Sequence, residues 1–371
     1  RMTEDDEGHL WICTEGGGLD MLDHQTGRFQ WFRFGESGLS QNNLKALWYD
    51  RRRKCLWIGT HLGGLDRMDI HTHRVTVFRH RPGDPSSLPS DIVRDIRPWG
   101  HRLVLATQQG VCLFDPHTGS CRRLFADTRL GRLIQLVSSV AVDGKGQLWI
   151  GTERAGVFCF SPRHKRLICY RHHPSDRRTL SNNHVNNIYV DPRGRIWVST
   201  AGGGLDLWHA QESRFENFDA QNAHLASNCV YGVHASTLNA RNLLLITNEG
   251  FSVLDIHART CRNYGRVNGF PLATINENGL YVGPQGTVWL GGVQGMLSFS
   301  EKALHKPIAP YRLKFANLYL DGKPVQPLDS TGILDATLEF TKTLKLSSDQ
   351  SSFAIEIATS NYLKSNHDEL Q

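Results

Sequence analysis

The side chains able to do chemistry gather at a few places. Basic clusters stand at "RRRK" from Arg51, "RHR" from Arg79, "RHH" from Arg171 and "DRR" from Asp176. "HTH" from His71 has the spacing that sets two imidazoles on one side of a strand, as a metal pair requires. It stands, however, where other stretches read "HQTG" at His24 and "PHTG" at Pro116, so it reads as turn chemistry, and no metal or cofactor is expected. Sialidase-type turns carry glycine two residues after aspartate. In "DPRGRIW" and "DGKGQLW" glycine comes three residues after Asp191 and Asp143. "DHQTGRFQW" approaches the Asp-x-x-Thr-Gly turn of quinoprotein propellers, but its second copy, "DPHTG", lacks the tryptophan. There is no nucleophile elbow, no phosphate-binding glycine loop and no carboxylate pair set apart, so no catalytic residue is assigned.

Composition narrows the classes further. The 371 residues carry a net charge of +6, spread in short clusters and not in a basic tract, so nucleic acid is not an expected partner. No apolar run approaches the length that spans a bilayer. The eight cysteines lie mostly in strand-like runs, without a C-x-x-C. Neither Cys112 with Cys121 nor Cys159 with Cys169 falls directly opposite its neighbour across a hairpin. They are expected to be small core residues and not a disulfide framework or zinc site, although the even count leaves room for a bridge.

The elements that must position these groups come from a repeat. "LWIGTHLGGLDRMD" from Leu56 recurs as "LWICTEGGGLDMLD" from Leu10, "LWIGTERAGVFCFS" from Leu148 and "IWVSTAGGGLDLWH" from Ile196. Weaker copies begin at Leu103, Leu243 and Val288. The aligned second positions are Trp11, Trp57, Val104, Trp149, Trp197, Leu244 and Trp289, spaced 45–48 residues apart. Within one copy, "HVNNIYVD", "RIWVST", "LDLWH" and "RFENFD" each read as a strand, separated by Pro/Gly turns. Four strands at this period indicate a propeller blade. The expected fold is therefore all-β: a seven-bladed β-propeller over residues 1–305, with the aligned tryptophans packed between blades. Asp20, Asp66 and Asp206 belong to "GLD" of the repeat and are expected to be structural. From residue 306 the period breaks. "YRLKFANLYLDGKPV" and the stretch to residue 371 suggest the beginning of an Ig-like β-sandwich. The last blade lacks an outer strand, and neither end of the chain supplies one. A longer protein is therefore expected on both sides.

That strand order puts two sets of loops on one face of the ring, those joining second to third strands and those crossing between blades. Candidate ligand contacts there are His61, Arg81, Glu153, Arg154, Arg171, His173, Arg177 and Arg178. Amide, guanidinium and imidazole groups suit a polyhydroxylated or anionic ligand.

The repeat, with inter-blade "RPGDPSSLPSDIV" and "HPSDRRTLSNNHV", resembles the two-component-regulator propeller, typical of the sensor half of bacterial hybrid two-component systems. The segment "LKFANLYLDGKPV…TLKLSSDQSSFAIEIATSNY" looks like the sandwich that follows such propellers. The resemblance implies an oligosaccharide sensor in the periplasm, the second propeller of a receptor anchored by a downstream helix, and signalling across a membrane by a shift between receptor arrangements makes a homodimer the expected state. Histidine kinase, receiver and DNA-binding domains would follow, controlling glycan-use genes, and this chain itself would not be an enzyme. The basic loops tilt the expected ligand towards an acidic glycan. A propeller lyase or hydrolase, or a protein-interaction scaffold, is the alternative.

Overall fold

The repeat motif "G-T-x-x-G-G-L" is a turn whose residue types are set by backbone geometry. In the computed structural model, which describes residues 1–265, 270–272, 274–305, 313–348, 350 and 352–359, Thr60 Oγ1 donates to Gly64 O (2.9 Å) and accepts from Gly63 N (2.9 Å). Thr152 and Thr200 make the same bonds in their copies. Gly64 sits at φ +86, and a Cβ there would lie 2.2 Å from Phe78 O, so only glycine fits. The strand before the turn is apolar because it is covered on both faces. Leu56, Trp57 and Ile58 are fully buried.

The chain divides into two compact units, Arg1–Arg266 with Phe270–Leu304, and Val267–Gly269 with His305–Gln371. Among the described residues, the first unit holds six four-stranded antiparallel sheets and a seventh of three strands, each laid out in chain order. The first strands of successive sheets lie against one another, and Ile275–Val282 of the seventh returns to Met2–Glu4 of the first, closing a cycle. The third strand of the seventh sheet, Gly295–Ser300, has no fourth strand beside it among the described residues.

The aligned second positions make the seams. Trp11 packs on Leu47, Tyr49 and Ile58 of the second sheet, and Trp57 on Ile96, Leu103 and Leu105 of the third. Val104, Trp149, Trp197 and Leu244 each reach the next sheet in the same way. Trp289 meets Leu10 and Leu22 of the first sheet, so the seventh seam repeats the pattern. An aromatic from the fourth strand backs each of four rings, Phe32 on Trp11, Phe78 on Trp57, Tyr170 on Trp149 and Phe218 on Trp197. The repeat thus encodes packing between sheets as much as within them.

One expectation is overturned. Cys112 faces Arg123 and Cys121 faces Phe114, so the two cysteines are offset, yet their sulfurs are bonded and their Cα atoms lie 6.0 Å apart. Diagonal neighbours on one face of a hairpin come within disulfide reach, which reasoning from directly opposed pairs overlooks. The remaining six cysteines are free thiols.

In the second unit Leu313–Leu320 pairs with Lys323–Val325 across the two-residue turn Asp321-Gly322, and with Phe353–Thr359 on its other side. Leu318, Leu320, Val325, Leu334 and Leu338 form its core.

Candidate functional site

A β-bulge recurs at one position of the repeat. In the first strand of the second to sixth sheets, a single residue has no partner on the second strand: Lys45, Arg94, Ser138, Asn186 and Tyr231. In the seventh sheet the same break spans residues 276–279. A bulge turns an otherwise alternating strand so that its extra side chain points elsewhere. Lys45, Arg94, Ser138, Asn186, Asn276, Glu277 and Asn278 all line one cavity of about 870 Å³.

Bulge side chains tie neighbouring sheets together. Ser138 Oγ donates to Val185 O (2.6 Å), and Asn186 Nδ2 donates to Val230 O (2.8 Å). Asn187 and Asn278 are hydrogen-bonded from the fifth sheet to the seventh. Arg1 Nε donates to Lys45 O (3.2 Å), and its guanidinium pairs with Asp95 (3.2 Å). The cations are matched by carboxylates from the turns between second and third strands, Lys45 with Glu15 and Arg94 with Glu153. Cys13 also lines the cavity. Burial pushes its thiol up to about 12, which keeps it protonated and without nucleophilic character.

The two predicted loop sets do meet. Glu15 bridges to Asn43, His61 to Ile92 and Ala201 to Cys229, each joining a turn to the following inter-sheet crossing. The aspartates of "GLD" anchor those crossings. Asp66 accepts from Ser40 N (2.9 Å), and Asp206 accepts from Ser181 N (3.1 Å), Ser181 Oγ (2.7 Å) and Asn217 Nδ2 (3.1 Å). Burial raises Asp66 to about 6 and Asp206 to about 7, above the usual carboxylate range.

The structure divides the eight candidate residues. His61 and Glu153 line the cavity. Arg81, Arg171, His173, Arg177 and Arg178 stand exposed on the two long inter-sheet loops, and Arg154 is exposed beside Glu153; none of these six lines the cavity. The long loops are built alike. His80 and His172 each donate Nδ1–H to a carbonyl eight residues on, Leu88 O (2.7 Å) and Leu180 O (2.9 Å). Arg81 N and His173 N are held by Ser87 Oγ and Thr179 Oγ1, both at 2.9 Å. Arg178 is paired with Asp176 inside its own loop (3.2 Å). His71 lies in a hairpin turn where Asp69 accepts its backbone N–H (3.0 Å), as the turn reading expected.

Sequence reasoning missed Lys45, Arg94, Ser138, Asn186 and Asn276 as cavity residues. A signal was present. At this one repeat position a polar residue follows the first apolar residue of the strand, Leu44, Val93, Val137, Val185 or Ile275, and changes type from copy to copy.

This ring of sheets is an architecture already seen in extracellular domains of two-component signalling systems. The extracellular domain of a putative hybrid two-component system of B. thetaiotaomicron superimposes with a TM-score of 0.69 at 20% identity, over 89% of this chain and 49% of that one. A second such domain from the same organism gives 0.65 at 18% identity, over 96% of this chain and 47% of that one. The family model of the two-component regulator propeller matches residues 179–202, within one copy of the repeat. Over 241 residues the chain is 24% identical to "Histidine kinase P4" of Formosa agariphila, covering 63% of this chain and 17% of that protein. The chain therefore spans about half the length of those solved domains and a smaller part of the kinase. Among the described residues no helix is long and apolar enough to cross a membrane.

Proposed function

We propose that this chain is part of the extracytoplasmic, ligand-sensing region of a hybrid two-component receptor. Its first 305 residues make a seven-bladed β-propeller, and residues 306–371 begin an Ig-like sandwich. The observation that carries this reading is the match of the two-component-regulator propeller model at residues 179–202, set in a ring whose likenesses include extracellular domains of such systems. The ligand is an oligosaccharide that reaches the loop face. The exposed arginines Arg81, Arg171, Arg177 and Arg178 are the proposed contacts for any acidic substituent it carries.

A ligand outside the membrane controls a kinase only by shifting an equilibrium between receptor arrangements. Seven stiff sheets, each packed on two neighbours, resist internal change, so ligand alters how the protomers of a dimer sit. The segment "EKALHKPIAPY", proposed as the movable junction, lies outside the described residues from Lys306 onward. The test measures autophosphorylation of the full-length protein in membranes against a panel of neutral and uronate-containing oligosaccharides. A response to one series, without release of sugar products, supports the sensor. Product release supports the lyase or hydrolase, and capture of a protein with no glycan effect supports the scaffold. If Arg171→Ala with Arg178→Ala leaves affinity for an acidic member and its salt dependence unchanged, the loop assignment is wrong.

A further inference from the structure

The cavity ringed by the bulges has its own chemistry, distinct from that of the basic loops. Its charged groups are matched in place: Lys45 with Glu15, Arg94 with Glu153, Arg1 with Asp95, and Asp20 with Arg33 (2.9 Å). The one carboxylate of the described lining outside these pairs is the exposed Glu277. A site composed in this way offers no excess positive charge to an anion. It offers many donors and acceptors at short range instead. Asn276, Asn278, His61 and His184 line the cavity and are all at least partly exposed, beside the partly exposed ion pairs. Each carboxylate retains lone pairs, and each cation retains N–H groups, beyond those used in its pair.

The lining is also mixed in polarity. Ile12, Val185, Val293 and Met296 supply apolar surface next to these groups. A volume of about 870 Å³ falls within the range of small-ligand sites, roughly 300–1,000 Å³. A ligand with alternating hydroxyl and C–H faces matches both parts of the lining. Hydroxyls donate to the carboxylates and accept from the cations without breaking either pair, whereas a charged ligand must compete with a partner already present.

The bulges are what make such a site. In a regular strand the residue after Val93 or Val185 would alternate into a seam between sheets. As an extra residue it is released from that seam packing, and its type varies from sheet to sheet. Lysine, arginine, serine and asparagine occupy the position in successive sheets, between flanking residues that remain buried.

We infer that this cavity is a binding site for an uncharged polyhydroxylated unit, held by the Lys45–Glu15 and Arg94–Glu153 pairs and the asparagines of the seventh-sheet bulge. The inference rests on reading the chain as a ligand sensor and adds a site and a ligand class to it. The test is calorimetry on the full-length protein with neutral gluco-, manno-, xylo-, arabino- and galacto-oligosaccharides, at low and high salt. Two paired variants, Lys45→Met with Glu15→Gln and Arg94→Met with Glu153→Gln, remove both charges of a pair together and leave no ion unmatched.

We expect one neutral series to bind with affinity nearly independent of salt, and to weaken about ten-fold or more in each paired variant, the equivalent of about 1.4 kcal/mol. Thermal unfolding of the variants close to the parent's separates lost contacts from lost fold. Unchanged affinity in both folded variants overturns the inference, as does binding confined to uronates with a steep salt dependence. A kinase that still responds to a glycan in those cases leaves the sensor reading standing. A kinase that responds to no glycan removes both.

Discussion

At the scale of single residues, the seam tryptophans differ in whether the indole N–H finds an acceptor. Trp11, Trp149 and Trp197 donate Nε1–H to the turn aspartate six residues earlier, Asp5 (2.8 Å), Asp143 (3.0 Å) and Asp191 (3.1 Å). The turn "DRRRKC" is one residue longer, Asp50 is taken by Arg53, and Trp57 Nε1 is buried without an acceptor among the described residues. Replacing Trp197 with Phe leaves Asp191 short of a donor, whereas replacing Trp57 with Phe removes an orphan. We expect Trp197→Phe to cost about 1 kcal/mol more unfolding free energy than Trp57→Phe, read from urea denaturation. Asp191→Ala should cost about 2–3 kcal/mol, because the backbone N–H groups of Arg193 and Arg195 lose their acceptor as well.

The buried aspartates make stability depend on pH in a defined direction. Asp206 and Asp66 hold their protons to about 7 and about 6 in the folded chain, against 3.8 for an unperturbed aspartate. The folded state therefore binds more protons than the unfolded state between about pH 4 and 7. Their contribution is fully present below about pH 4 and is lost as pH rises through about 6 and 7. Chemical unfolding of Asp206→Asn across this range should show a shallower decline with pH than the parent. An identical slope would mean that Asp206 does not titrate in that window.

At the scale of elements, the turns explain which glycines are required. Gly194 and Gly204 both adopt left-handed conformations, with φ +78 and +87. A Cβ on Gly194 meets nothing within 4 Å, whereas one on Gly204 would lie 2.3 Å from Phe218 O. Gly194→Ala should cost about 1–2 kcal/mol, the ordinary penalty of that conformation. Gly204→Ala adds a backbone clash that no rotamer relieves, and its unfolding midpoint should fall well below that of Gly194→Ala. Equal losses would show that the "GGL" turn relaxes freely. Glu15, His61 and Glu153 reach the cavity from the same kind of turn.

At the scale of the whole molecule, closure of the ring depends on its least complete sheet. Among the described residues the seventh sheet has three strands, and in Gly295–Ser300 no residue is fully buried. The corresponding strand of the fifth sheet, Leu205–His209, begins with three buried residues and is paired on both sides. Backbone amides on an open edge exchange through small local fluctuations. Hydrogen exchange of the chain should therefore be faster in Gly295–Ser300 than in Leu205–His209 or Val157–Ser161. Equal protection would mean that the open edge does not lower local stability. Trp289→Ala, which empties the seam between seventh and first sheets, should cost about 3–5 kcal/mol.

The features legible in the sequence were those carried by local, repeated chemistry. Strand alternation, Pro/Gly turns and one bulky residue at a fixed place in each copy specify sheets, turns and seams, because each needs only residues near in sequence or their counterparts one repeat away. "GLD" and "HTH" were likewise readable as structure, since Asp206 serves a loop serine and His71 a hairpin turn. The cavity depended on contacts that no local pattern states. Lys45 meets Glu15 across 30 residues, and Arg94 meets Glu153 across 59. Their side chains turn inward only because a bulge breaks the alternation of their strands. A bulge exists only relative to the strand it is paired with, so the register between strands, and not the order of residues along one of them, decided where the polar groups of this protein converge.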